Sequence, residues 1–153
     1  MTGANKSEWD QAFLRIAFDL SKFSKCVSKK VCALIVKDRR IISTGLNGTQ
    51  SGEVNCNDVF NPNDFDREEH HTWSLLHEQH AEISAISYCI KNNMSIEGAT
   101  IYCTLQPCFS CAKILIASGI KRVVYSKEYD KAQGSLDVFL NSEIRIEKIE
   151  LKE

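Results

Sequence analysis

A chain of 153 residues has the length of one domain with an ordinary core, and residues 1–153 are read as a single domain. Nineteen basic against twenty acidic side chains leave a net charge of -1, without the basic excess that holds an extended nucleic acid by counterion release. The longest apolar runs, such as 31–36, are too short to span a bilayer, and the polar stretch 1–8 has no signal-peptide pattern, so an intracellular protein without a membrane partner is expected.

Ser7 followed by Asp10 is a plausible helix start, and Trp9, Phe13, Ile16, Ala17, Leu20 and Phe23 then recur at spacings of three and four, one apolar helical face. Runs 31–37 and 40–44 are rich in β-branched residues and flank Asp38-Arg39, which reads as an antiparallel hairpin. Between residues 49 and 72 the chain is polar, without periodicity and too long for a bare loop, so it is expected to be functional, disordered or pinned by something. A helix is expected over 78–91, with Ala81, Ala85, Ile86 and Cys89 or Ile90 inward. A strand over 99–105 comes next. Pro107 suits the first turn of a helix that Gly119 closes. Strand 121–125, a short helix 136–140 and a strand through Ile144, Ile146 and Ile149 complete the order. Such an order predicts a layered α/β/α domain with one mixed sheet.

Seven cysteines are an odd number, which argues against a complete disulfide framework. Cys32, Cys89 and Cys103 lie in apolar runs and read as core residues. Cys108 and Cys111 form a C-x-x-C after Pro107, and upstream stands His80-Ala81-Glu82. One imidazole and two thiolates suit zinc better than magnesium or calcium. Three ligands are one short of a closed tetrahedron, which is how a catalytic zinc keeps a place for water. Cysteines three apart at a helix start share a face, and the helix N-terminus favours their thiolate form. Glu82 is placed to face the open side of the metal without binding it and to move protons. A lone C-x-x-C is often a structural knuckle or a redox pair, and a lone H-x-E is common. Together they match the recorded signature of zinc-dependent deaminases. In that chemistry zinc brings a water pKa down to about 7. Glu82 accepts the water proton, passes it to pyrimidine N3 and helps protonate the departing ammonia.

From about Trp9 to Phe139 the chain resembles the phage-type deoxycytidylate (dCMP) deaminases. The resemblance is carried by residues 40–49, which read RIISTGLNGT, by 95–100 (SIEGAT) and by 118–121 (SGIK), besides the zinc motifs. It implies a five-stranded cytidine-deaminase-like fold and hydrolysis of dCMP to dUMP and ammonia, feeding thymidylate synthesis in the cytoplasm, the host's if the gene is a phage's. Under it His80, Cys108 and Cys111 bind catalytic zinc, Glu82 shuttles protons, and Ala81 offers its N–H to the pyrimidine carbonyl. Asn47 becomes a deoxyribose contact, although Asn47-Gly48 alone reads as a turn. Tyr129 is either a substrate-side or a structural tyrosine. The resemblance also implies a second, structural zinc, with Cys26, Cys56, His70 and Glu78 at the matching places and His71 or His77 as alternative imidazoles. A homo-hexamer activated by dCTP, with Mg2+ accompanying that effector, and inhibited by dTTP is implied too. Leu46, Cys32, Gln50, Ser84 and Phe109 depart from the family pattern and bear on that regulation. The basic stretch Lys22, Lys25, Lys29, Lys30, Lys37, Arg39 and Arg40 is either a solvated face or a nucleotide-phosphate contact. Two competing readings are a tRNA adenosine or other base deaminase, which needs a basic, aromatic groove, and a non-catalytic zinc-folded module, which has no use for Glu82.

Overall fold

Asn5 starts the first helix in the computed structural model, which describes Gly3 and residues 5–152; Met1, Thr2 and Ala4 of the polar N-terminal stretch, and Glu153, lie outside the described residues. The Asn5 side chain accepts from the Glu8 N–H at 3.0 Å, so α1 (Lys6–Ser21) begins before the expected Ser7 cap. Its buried stripe includes Asp10, Phe13, Leu14 and Ala17. Ile16 and Phe23, expected inside, are 39% and 72% exposed. Leu14 takes the inward place of Ile16, and Phe23 lies beyond the helix end.

Strands β1 (Cys32–Lys37) and β2 (Arg40–Leu46) form the expected hairpin. Asp38 and Arg39 both have positive φ, the tight turn whose twist matches two paired strands. The stretch between residues 49 and 78, polar and without periodicity in the sequence, carries two helices. A two-residue strand β3 (Gly48–Thr49) leads to α2 (Cys56–Val59) and α3 (Arg67–His77), and β4 (Glu78–Gln79) returns to pair with β3. Asp66 caps α3 by accepting from the Glu69 N–H. This helix shows no apolar period because only His70 of its residues is buried, while Leu75 and Leu76 point into solvent.

Helix α4 (Ala81–Lys91) starts three residues later than expected, because Glu78 and Gln79 are held in the ribbon with β3. Cys89 faces inward and Ile90 outward. After β5 (Thr100–Leu105), Pro107 stands outside α5 (Phe109–Ala117), whose N-cap is Cys108. β6 (Arg122–Lys127), α6 (Ser135–Leu140) and β7 (Arg145–Lys148) follow.

The sheet runs β2-β1-β5-β6-β7, with β1 antiparallel to both neighbours and β5, β6 and β7 parallel. It is the mixed five-stranded sheet expected. Alternate residues feed two cores. Cys32, Leu34, Val36, Tyr102 and Val124 pack with α1, whereas Ala33, Ile35, Ile101, Cys103, Val123 and Tyr125 pack with α4, α5 and α6. Helices on both faces explain why these strands read as nearly continuous apolar runs. Among the described residues, no helix is long and apolar enough to cross a membrane.

A buried polar network crosses the α1 layer. Arg122 on β6 forks onto Asp10 of α1 at 2.8 and 2.7 Å and onto Glu147 of β7 at 2.9 and 3.2 Å, while the Tyr102 hydroxyl donates to Asp10 at 2.6 Å. Burial pushes the Asp10 carboxyl up, but the hydrogen bonds from Arg122 and Tyr102 outweigh it and hold it below the usual carboxylate range. The folded state therefore favours the carboxylate. Its stabilisation is present above the unfolded value of about 4 and is lost as pH falls through the lower folded value. Asp10→Asn is expected to cost about 3 kcal/mol at neutral pH, because it leaves Arg122 buried and short of a partner. Urea unfolding should show the gap from wild type closing as the solution is acidified. Equal stability of the two proteins at pH 7 would remove the network from any structural role.

Candidate active site

His80 and Cys108 occupy equivalent places, each the N-cap of a helix: His80 for α4, Cys108 for α5. Both have extended backbone at the cap, which turns the side chains away from the helix axes and toward each other. Cys111 lies three residues along, on the same face as Cys108. The His80 Nδ1 atom is 3.3 Å from the Cys111 sulfur and 3.4 Å from the Cys108 sulfur. Tetrahedral zinc with bonds of about 2.0–2.3 Å places neighbouring donors roughly 3.5 Å apart, so this trio fits the ion. Two helix N-termini converge here, and both favour negative charge.

The electrostatics of the trio follow from its contacts. The hydrogen bond from Cys111 pulls the Cys108 thiol down to about 4, with His80 adding to the effect. The same hydrogen bond, with burial, pushes Cys111 up, and hydrogen bonding to Cys108 raises His80. One thiolate is shared among three groups, and a cation held there would allow the second thiolate to form. Glu82, in the first turn of α4, is 4% exposed and is not among the three clustered donors. Burial pushes its carboxyl up, toward the range in which a carboxyl both gives and takes protons.

His80, Glu82 and Cys108 line one side of a cavity of about 180 Å³. Ala81 is in the wall beside them, and as the first residue of α4 its N–H has no acceptor inside the helix. Asn47 and Tyr129 also line the cavity. The Asn47 oxygen accepts from Ser24 Oγ at 2.7 Å and the Val31 N–H at 2.9 Å, and its nitrogen donates to Lys29 O at 2.7 Å. The residue thus clamps the segment after α1 and keeps one amide hydrogen for the cavity. Tyr129 is half-buried, with Lys29 Nζ 4.8 Å from its ring centre.

A second cluster brings together Cys26, Cys56, His70 and Glu78, whose donor atoms all lie within 4.8 Å of one another. Cys26 Sγ is 3.6 Å from His70 Nε2 and 3.4 Å from Glu78 Oε1. His71 is exposed and His77 stacks on Trp73, so His70 is the imidazole of this cluster. Burial pushes the Cys26 thiol up to about 12 and raises Cys56 as well. Glu78 Oε2 is buried without a hydrogen-bond partner. Two thiols and a carboxylate buried together are stable as anions only around a cation, and four donors in this arrangement fit a closed zinc site. Cys26, His70 and Glu78 also line the cavity, so both clusters border one space.

The basic stretch does not act as a unit. Lys29 lines the cavity, but Lys22 pairs with Asp19, Lys30 donates to Ser24 O, Lys37 donates to Ser95 O and Arg39 lies over Trp9. A helix end, a loop and a hairpin turn send these side chains in different directions. Arg67, His71, Gln106 and Lys131 line the cavity, a place the sequence reading gave to none of them, His71 having been named only as an alternative imidazole of the second cluster. The first two ride on α3, which has no apolar period. A glutamine between a strand and a Pro-Cys turn carries no signal of its own.

The family model of the cytidine and deoxycytidylate deaminase zinc-binding region matches residues 7–127. The deoxycytidylate deaminase of Enterobacteria phage T4 is 40% identical over 165 residues, covering 87% of this chain and 86% of that protein. Its counterpart in Enterobacteria phage T2 is 39% identical over 87% of this chain and 88% of its own length. The crystal structure of the dCMP deaminase from cyanophage S-TIM5 in complex with dCMP and dUMP superposes with a TM-score of 0.79 at 31% identity, over 95% of this chain and 100% of that one.

The helix that carries Glu82 is seated directly on β2. Ser43 Oγ donates to Ala85 O at 2.7 Å, and a methyl group at Gly45 would lie well inside van der Waals contact of Ala81 O and Ala85 N. Gly45→Ala should therefore push the first turn of α4 outward, at a cost of about 1–3 kcal/mol. Thermal unfolding and zinc content measured together would show both fall. A variant with unchanged stability and zinc would mean that β2 does not seat the helix.

Proposed function

This chain belongs to the cytidine and deoxycytidylate deaminase family, and we propose that its cavity takes dCMP and that the enzyme hydrolyses it to dUMP and ammonia. The observation that carries the reading is the incomplete donor set of His80, Cys108 and Cys111 with buried Glu82 beside it. The names of the phage relatives and the dCMP and dUMP complex of the cyanophage enzyme support the substrate.

A zinc held by His80, Cys108 and Cys111 would supply the Lewis acidity that brings a water pKa down to about 7. Glu82 takes the proton of the attacking water, delivers it to N3 of the pyrimidine and then helps protonate the amine that leaves C4. Its burial keeps bulk water from competing for those protons. The Ala81 N–H at the start of α4 meets the pyrimidine carbonyl. Asn47 offers its remaining amide hydrogen to the deoxyribose, and Tyr129 closes the opposite wall. Lys29, Arg67 and Lys131 bring positive charge to the same cavity, which suits the 5′-phosphate.

Cys26, Cys56, His70 and Glu78 would hold a second zinc as a closed structural site. Supply of dUMP for thymidylate synthesis belongs to the same reading, as does work in the cytoplasm, the host's for a phage enzyme. So do a homo-hexamer and regulation by dCTP, with Mg2+, and by dTTP. Solvent-facing Leu75, Leu76, Tyr88 and Ile90 on α3 and α4 support assembly, because apolar side chains left in water favour a partner surface.

Ammonia release should be measured with dCMP, deoxycytidine, CMP, dCTP and a tRNA arm, with dCMP expected to be the preferred substrate. Preference for the tRNA arm would overturn the reading. Glu82→Gln should keep its zinc and lose about 10²–10⁴ in kcat, because it removes the proton carrier and no metal donor. Full turnover in that variant would end the role given to Glu82. Elemental analysis should find two zinc ions per chain, one for each donor cluster, and one in Cys56→Ala. One zinc in the wild-type protein would remove the second site.

A further inference from the structure

We propose that Gln106 is a positioning residue that ties the Tyr129 wall of the cavity to the turn carrying Cys108, and thereby sets the affinity for the nucleotide. Its substrate part rests on the dCMP reading; its mechanical part does not. Gln106 follows β5 and directly precedes Pro107 and Cys108. Its main-chain N–H bonds Lys127 O at 2.8 Å, which extends the β5–β6 pairing one residue past the strand. The residue is therefore held by the sheet, next to a proposed zinc ligand.

The buried side chain turns the other way, into the loop of residues 128–134 between β6 and α6. Its oxygen accepts from the Tyr129 N–H at 3.3 Å, and its nitrogen donates to Ser135 Oγ at 3.2 Å. Tyr129 stands at the start of the loop and Ser135 is the first residue of α6, so one amide bridges both ends. A backbone N–H can only donate, which requires the oxygen end of the amide to face Tyr129. Between the two anchors, the Ala132 N–H bonds Tyr129 O and the Ser135 N–H bonds Ala132 O, two turns that depend on the ends being held together. This loop places Tyr129 and Lys131 in the cavity wall. An aliphatic side chain of similar size would fill the space but hold neither end.

The test uses the zinc-loaded full chain and the variants Gln106→Leu and Ser135→Ala. Each removes at least one of the two hydrogen bonds, and the loss of one such buried bond corresponds to about tenfold in an equilibrium. Amide exchange at residues 129–132 should quicken by about that factor without dCMP present. With dCMP, KM should rise by about tenfold while kcat and zinc content stay close to wild type. The double variant should be no worse than Gln106→Leu, because both substitutions cut the same bridge. Unchanged exchange at Tyr129 would overturn the proposal. So would a fall in kcat at constant KM, which would mark Gln106 as a support of the Cys108 turn alone. Should Gln106→Leu fail to fold, Ser135→Ala decides by the same readings. If wild-type protein does not turn over dCMP, the substrate reading fails, and the exchange data still decide the bridge.

Discussion

Two helix N-termini pointing at one spot are the constraint on which the rest of this structure depends. Thiolates are costly to form in a protein interior, and the starts of α4 and α5 supply the backbone donors and dipoles that favour them. His80 and Cys108 can face each other because each is the N-cap of its helix, with extended backbone in place of helical. Holding two helix starts that close requires the layers beneath them to be rigid. β2 meets α4 at Gly45 without room for a methyl group, and α5 leaves directly from the end of β5. The sheet therefore sets the donor geometry.

The second donor cluster solves a different problem. Residues 49–78 contribute little to either main core, and α3 exposes its leucines. Hydrophobic burial alone gives such an insertion weak support. Cys26, Cys56, His70 and Glu78 come from the segment after α1, from α2, from α3 and from β4, so one cation there would join four separate pieces of chain. Phe60 and Phe65 pack around His70 with ring centres 5.2 and 5.5 Å away, which shields the cluster from water. Because β4 also leads straight into His80, the two clusters are mechanically continuous. That continuity explains why three donors of the second cluster share a cavity with the first.

The cavity is consequently built from three parts with different supports. The catalytic wall rests on the sheet and two helix starts. The α3 wall, with Arg67 and His71, rests on the second cluster. The Tyr129 wall rests on Gln106. Glu82 and its donor neighbours lie on the wall that the sheet and the two helix starts support.

Local spacing made the chemistry readable from the chain alone. A histidine two residues before a glutamate, and cysteines three apart after a proline, specify donor types and shared faces without knowledge of the fold. The hairpin at Asp38-Arg39 and the parallel strands were readable for the same reason, because their signals are periodic and short in range. Resemblance to the phage enzymes added Cys26, Cys56, His70 and Glu78, whose spacing alone reveals nothing. Only tertiary structure decided that His70 turns inward while His71 and His77 do not. It alone placed α3, whose buried contact is one imidazole rather than an apolar stripe. It alone scattered the basic stretch, leaving Lys29 at the cavity and adding Arg67 and Lys131 from distant segments. Gln106 belongs with these. Its role depends on partners 23 and 29 residues away, and no local pattern encodes a hydrogen bond over that distance.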